Sequence, residues 1–169
     1  TDPTTFNPSV SDTYAHSTSS TVFDSLGASH VSTYYFVHDG DGPTTPTTPA
    51  TVPAVTTNPS DNSNQWLVFT YLDGAPTNIA GGPSVTHSNG TGPAVDQNPA
   101  VLQFNSDGSF ASSTPASIQN VALPQTNGSN PLTITHDFVN NTTTQFSSTF
   151  AVSRLDPDGF STGRLTGLD

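Results

Sequence analysis

Helices have almost nothing to be built from in this chain. It contains no Lys, no Glu and no Met, and its only cations are Arg154 and Arg164, so the long unbranched side chains that favour helix are nearly missing. Thr, Ser, Asn, Gly and fifteen Pro stand in their place; these residues either suit strands or build turns. Stretches of period-2 or aromatic-rich strand character recur along the chain, and no proline falls within any of them, as ladder hydrogen bonding requires of interior strands. The expected fold is all-β: an antiparallel small Greek-key barrel or sandwich of about six to eight strands with long Thr/Pro/Gly-rich loops, the sequence leaving barrel and sandwich both open.

The first two stretches make a hairpin, Ser17 to Phe23 and Ala28 to Val37, joined by Asp24-Ser25-Leu26-Gly27. In its second arm Val31, Thr33, Tyr35 and Val37 point one way and Ser32, Tyr34 and Phe36 the other. Asp39-Gly-Asp-Gly-Pro43 then opens a Thr/Pro-rich stretch to Asn64, expected as an exposed, semi-extended loop. Gln65 to Leu72 resumes as a strand, and Asp73 to Pro99 reads as a Gly/Pro/Asn-rich connection without strands of its own. Ala100 to Phe104, Asn105-Ser-Asp-Gly108 and Ser109 to Ala111 form a second hairpin. Ile118 to Leu123 is a weaker strand. Leu132 to Phe138 alternates Leu132, Ile134, His136 and Phe138 against Thr133, Thr135 and Asp137, and Gln145 to Leu155 sets Phe146, Ser148, Phe150 and Val152 on one face. Asp156-Pro-Asp-Gly159 turns the chain into a glycine-spaced tail.

At 169 residues with 31% apolar content, one domain burying roughly 70% of its unfolded surface is expected, its core small, aromatic and divided into strips. Thirteen Asp against two Arg give a formal net charge of −11, which offers no attraction to phosphate backbones or anionic lipid, so neither nucleic acid nor membrane is an expected partner. No apolar run approaches the roughly 20 residues that span a bilayer. Zero Cys removes disulfides, zinc–thiolate sites and thiol nucleophiles. The chain opens on Thr1 and lacks Met, and is read as a piece of a longer protein.

Candidate chemistry is thin. Asp39-Gly-Asp-Gly, Asn105-Ser-Asp-Gly and Asp156-Pro-Asp-Gly resemble calcium loops only in part, since no third acidic ligand follows and no Glu exists to close one; Asp-Gly is also ordinary turn chemistry. His16, His30, His38, His87 and His136 include no i, i+4 pair. No Gly-x-Ser-x-Gly elbow singles out a nucleophile, and no two Asp stand out as an acid/base pair. Asn89-Gly-Thr, Asn127-Gly-Ser, Asn140-Asn-Thr and Asn141-Thr-Thr match the glycosylation triplet, as Asn- and Thr-rich loops do by chance. Catalytic, cofactor-binding and metal-binding residues are all expected to be none, and no cofactor is expected.

An ordered series of segments resembles the outer domain of bacterial flagellar hook proteins: Thr21-Val-Phe-Asp-Ser-Leu-Gly-Ala-Ser-His30 with Tyr34-Tyr-Phe-Val37, Asn64-Gln-Trp-Leu-Val-Phe-Thr-Tyr71, Leu102-Gln-Phe-Asn-Ser-Asp-Gly-Ser-Phe110, Leu132 to Phe138, Thr144-Gln-Phe-Ser-Ser-Thr-Phe-Ala-Val152 and Asp158-Gly-Phe-Ser-Thr-Gly-Arg-Leu165. Residues 43–64 and 75–99 are longer than a minimal member of that family needs. The resemblance implies an outer β domain over residues 1–155 and an exit segment over 156–169. It implies many copies of a longer protein assembled into the curved tube that joins motor and filament, in the extracellular flagellum and exported without a cleaved signal peptide. The family's helical terminal segments are missing here, so this piece is expected to be monomeric. The alternative is an extracellular binding module, an adhesin or carbohydrate-binding β domain, for which Tyr14, Trp66 and Tyr71 are the candidate contact rings; an enzyme ranks third.

Overall fold

The structure is a computed structural model describing residues 3–39, 64–90, 92–138 and 143–145. Its strands are β1 (His16–Phe23), β2 (Ser29–His38), β3 (Gln65–Leu72), β4 (Ala75–Thr77), β5 (Val85–His87), β6 (Val95–Gln97), β7 (Ala100–Phe104), β8 (Phe110–Thr114), β9 (Ile118–Gln119) and β10 (Thr135–His136). Among the described residues two 3₁₀ turns are complete, Pro3–Thr5 and Ser11–Thr13.

The main sheet runs β1-β2-β3-β7-β8, with β4 also on β3. Every pairing in it is antiparallel. β3 gives its first half to β7, pairing Trp66 with Leu102, and its second half to β4, pairing Thr70 with Thr77. β5–β6 and β9–β10 are separate two-stranded ladders. Among the described residues β1 and β8 end the sheet and do not close it, so of the two architectures left open by the sequence, the described residues form an open sandwich rather than a closed barrel.

Alternation along β3 explains why the sheet is central. Trp66 and Val68 point to one face and Leu67, Phe69 and Tyr71 to the other, and Leu67 through Leu72 are all buried. A strand covered on both faces reads as a nearly unbroken apolar run. On the first face Tyr34, Val68, Ala100, Leu102 and Phe104 pack with Ile79 and Ile118, flanked by Phe36, Phe110 and Phe138. On the second, Val37, Leu67, Phe69, Tyr71 and Val101 pack with Phe6, flanked by Tyr14, Tyr35 and Val85. Phe6 lies outside every strand, yet its ring stacks on Phe69 at 4.3 Å. Two aromatic strips, one on each face, are the core anticipated from composition.

Several expected boundaries change. The connection over 73–99 holds three strands, β4, β5 and β6. Each is only three residues long, too short for a period-2 pattern to register. β4 also contains Pro76, which is tolerated because this short strand sits at an edge, where a missing donor breaks no ladder between two strands. The second arm of the β7–β8 hairpin extends to Thr114 rather than ending at Ala111. Ile118–Leu123 and Leu132–Phe138 shrink to β9 and β10, with isolated bridges at Asn120 and between Leu123 and Leu132. The alternation in the latter segment survives: His136 is buried, Leu132, Ile134 and Phe138 are half-buried, and Thr133, Thr135 and Asp137 are exposed. The expected loop over 43–64, the strand Gln145–Leu155 beyond its first residue, and the tail after Asp156 lie outside the described residues, Asn64 apart.

Candidate functional site

The densest polar chemistry sits at the tip of the β1–β2 hairpin. Asp24 folds its own turn: Oδ1 accepts from the backbone N–H of Leu26 at 2.9 Å and of Ala28 at 2.8 Å, and Gly27 takes the left-handed φ of 79° that the turn requires. Asp73, in the two-residue turn between β3 and β4, has φ 50° and reaches back to the start of β2, where its Oδ1 accepts from Val31 N–H at 2.8 Å. A loop far along the chain closes the arrangement: Asn127 Nδ2 donates to Asp24 Oδ2, and Asn130 N–H donates to Ser25 Oγ at 2.9 Å. His30 lies between the two carboxylates, Nδ1 at 2.7 Å from Asp73 Oδ2 and Nε2 at 3.6 Å from Asp24 Oδ2. Beside them Leu26 and Val31 are about half exposed, at 53% and 49%.

The charges sustain one another. The Asn127 amide and then the Ala28 and Leu26 N–H groups hold Asp24 well below the usual carboxylate range, against the opposing effect of burial. The Asp73 carboxylate raises His30 above its ordinary value, burial opposing, and Asp24 adds to the rise. His30 in turn lowers Asp73. Hydrogen bonding to the charged form is the dominant cause in all three.

A second polar cluster stitches β5–β6 to β3–β4. Gln97, 1% exposed, donates from Nε2 to the carbonyls of Thr70 at 2.7 Å and Thr77 at 2.9 Å. Those two bonds fix its amide orientation, so Oε1 accepts from His87 Nε2 at 2.8 Å. His87 Nδ1 faces the Ser88 carbonyl at 2.9 Å, and its ring packs at 4.9 Å from both Phe6 and Phe69. The Thr70 and Thr77 hydroxyls meet at 2.7 Å. Gln97, His87, Thr70 and Thr77 are buried and bonded to one another, which is the condition under which such a network specifies one packing.

All five histidines fall in strands, and they are dispersed. His87 belongs to the buried network, His30 to the hairpin tip, and His16 and His38 pack their rings against Trp66. His136 stands edge-on to Tyr34, its Nε2 buried without a partner, and burial pushes it down to about 4. No group of three or more His, Asp or Glu among the described residues is placed to hold a metal. Asn105-Ser-Asp-Gly is a turn: Asp107 Oδ1 accepts from Ser109 N–H at 2.9 Å and from its hydroxyl at 2.6 Å. In the first Asp-Gly-Asp-Gly motif Asp39 is buried, and the rest of that motif and all of the third lie outside the described residues.

The rings considered for a binding platform do not form one. Tyr71 is 3% exposed, its hydroxyl donates to Asn89, and burial drives its ionisation upward. Tyr14 packs edge-on against Phe6 and Tyr35, and Trp66 lies half-buried between His16 and His38. Of the glycosylation triplets, Asn89 accepts from Tyr71 and Asn127 is engaged with Asp24, while those at 140 and 141 lie outside the described residues. Sequence reasoning recognised Asp24-Ser-Leu-Gly27 as a turn but not the joining of Asp24 to the distant Asp73 and Asn127, which no local pattern announces.

No helix among the described residues is long and apolar enough to cross a membrane. Comparison with curated proteins and with solved structures gave no significant match. The family model described as the flagellar basal body protein FlaE D2 domain, by contrast, matches residues 1–160. That match spans nearly the whole chain. The chain therefore belongs to the FlaE D2 domain family and is a structural domain of the flagellar hook protein, a subunit that assembles with other hook subunits.

Proposed function

We propose that this domain is the outer, extracellular part of a hook subunit, with residues 1–155 forming the β unit and 156–169 leading toward the inner part of the same protein. Copies of it touch along the helical rows of the curved tube as the tube bends and rotates, the contact arrangement of a universal joint. The reading assigns the domain no catalytic, cofactor-binding or metal-binding residue. It makes the isolated piece monomeric and places its export on the full-length protein without a cleaved signal peptide.

The observation that carries the reading is the family match, and the fold supplies a physical reason for it. Both faces of the main sheet are covered by the chain's own residues, so the unit is rigid without a partner. The outward residues of β1, Ser17, Ser19 and Thr21, are small and uncharged. Such surfaces slide past one another without ion pairs that would lock one register. The test is complementation with the full-length gene lacking Thr13 to Val152, scored by electron microscopy of hooks and by swimming. Hooks that are lost, straight or mechanically defective support the reading; normal hooks with normal swimming reject it.

A further inference from the structure

We propose that Asp24, His30, Asp73 and Asn127 form a proton-dependent latch on the β1–β2 hairpin tip, closed while His30 is an imidazolium and loosened when it becomes neutral. The geometry leaves neutral His30 no satisfactory tautomer. With the proton on Nδ1, the 2.7 Å bond to Asp73 is kept, but Nε2 then turns a lone pair toward Asp24 Oδ2 at 3.6 Å. Nε2 is buried and has no hydrogen-bond partner that could take up that lone pair. With the proton on Nε2 instead, the lone pair on Nδ1 faces the Asp73 carboxylate at 2.7 Å. Only the doubly protonated ring meets both carboxylates with an N–H.

The carboxylates cannot relieve the conflict by taking up protons themselves. Asp24 has no solvent-accessible side-chain surface and is held ionised by Asn127 and the turn N–H groups, while Asp73 also accepts from Val31. The charged groups acting on His30 are Asp73, from the β3–β4 turn, and Asp24, from the β1–β2 turn. The third element at the tip, the loop over 124–131, faces Asp24 with the uncharged Asn127 and Ser129.

The pH window follows from the directions of the shifts. His30 is raised above 6.5, so its contribution is complete below 6.5 and disappears as pH rises through the folded-state value. Asp24 and Asp73 are lowered from 3.8; their contributions are present above 3.8 and disappear only as pH falls through their lowered values. The latch is therefore fully closed in mildly acid solution and opens on the alkaline side. What it governs is the setting of exposed Leu26 and Val31, which flank it. This device is independent of the assignment to the hook, and its failure would leave that assignment standing.

The test is an NMR titration of the His30 ring in the 169-residue chain, with hydrogen exchange followed at the Val31 and Asn130 amides and corrected for intrinsic rate. The expected result is a His30 midpoint above 6.5 and a loss of protection at both amides across that midpoint, with Ile79 and Leu123 amides unaffected. Asp73→Asn keeps the acceptor for Val31 N–H and suits the left-handed backbone while removing the charge; it should move the midpoint down toward 6.5. His30→Gln should abolish the pH dependence of protection. A native midpoint at or below 6.5, or the same pH dependence in His30→Gln, overturns the latch.

Discussion

Phe6 belongs to no strand, yet the covering of the sheet's second face depends on it, and Phe6→Ala measures how much. Its side chain is fully buried, stacked on Phe69 at 4.3 Å, with His87 at 4.9 Å, Tyr35 at 5.4 Å and Tyr14 and Tyr71 at 6.3 Å. Truncation removes the ring from the centre of that cluster and leaves a cavity that stiff aromatic neighbours collapse poorly. Phe→Ala at such a site costs about 3–5 kcal/mol, of which about 1 kcal/mol is the aromatic pair itself. A domain of this kind has about 5–15 kcal/mol in total, so the loss is a large share. With a urea slope of about 2 kcal/mol/M the midpoint falls by about 2 M. The assay is urea unfolding followed by the fluorescence of Trp66, which sits on the opposite face and so reports on the sheet rather than on the site of substitution. Phe6→Leu, which keeps most of the volume, should lose about 1–2 kcal/mol, and Val10→Ala, at a residue 44% exposed, less than about 0.5 kcal/mol. A Phe6→Ala loss under about 1 kcal/mol, far below the usual range for a buried ring, would show that the sheet holds without its N-terminal cover.

Three further outcomes are expected. His136, pushed down from 6.5 to about 4 by burial, stabilises the fold fully above 6.5 and less as pH falls toward 4; with about 1.4 kcal/mol per unit the loss approaches about 3 kcal/mol, read by urea unfolding at a series of pH values and diminished in His136→Phe. Gln97→Leu keeps bulk but strips the Thr70 and Thr77 carbonyls of one donor each and His87 Nε2 of its acceptor, so stability should fall by about 2–4 kcal/mol despite the more apolar side chain; a gain in thermal denaturation would refute the network's structural role. Gly27→Ala, at φ 79°, should cost about 1 kcal/mol through backbone strain in the hairpin turn, measurable by the same unfolding assay.

How much of this was legible follows from range. The β1–β2 hairpin could be read because an Asp-x-x-Gly turn separates two alternating arms, and the Asn105–Gly108 turn because its side-chain chemistry is local. β3 could be read from its apolar run, whose meaning, burial on both faces, became clear only with the cover in place. β4, β5 and β6 were missed because three residues carry no period, and Pro76 argued against a strand there. Phe6 was not singled out because a lone ring among Thr, Asn and Pro has no pattern. The hairpin-tip latch and the His87–Gln97 network join residues from distant loops and strands, and pairings at that separation are set by topology, which alternation and turn signals do not encode. The family resemblance was legible because it rests on an ordered series of short segments, each local.

The most direct test of the central claim is a helical reconstruction by electron microscopy of hooks assembled from the full-length protein, at a resolution that traces strands. The expected map places this open, doubly covered sheet on the outer surface of the tube, in contact with the same domain of neighbouring subunits along the helical rows. A map with the domain lining the central channel, or standing clear of every neighbouring copy, would contradict it.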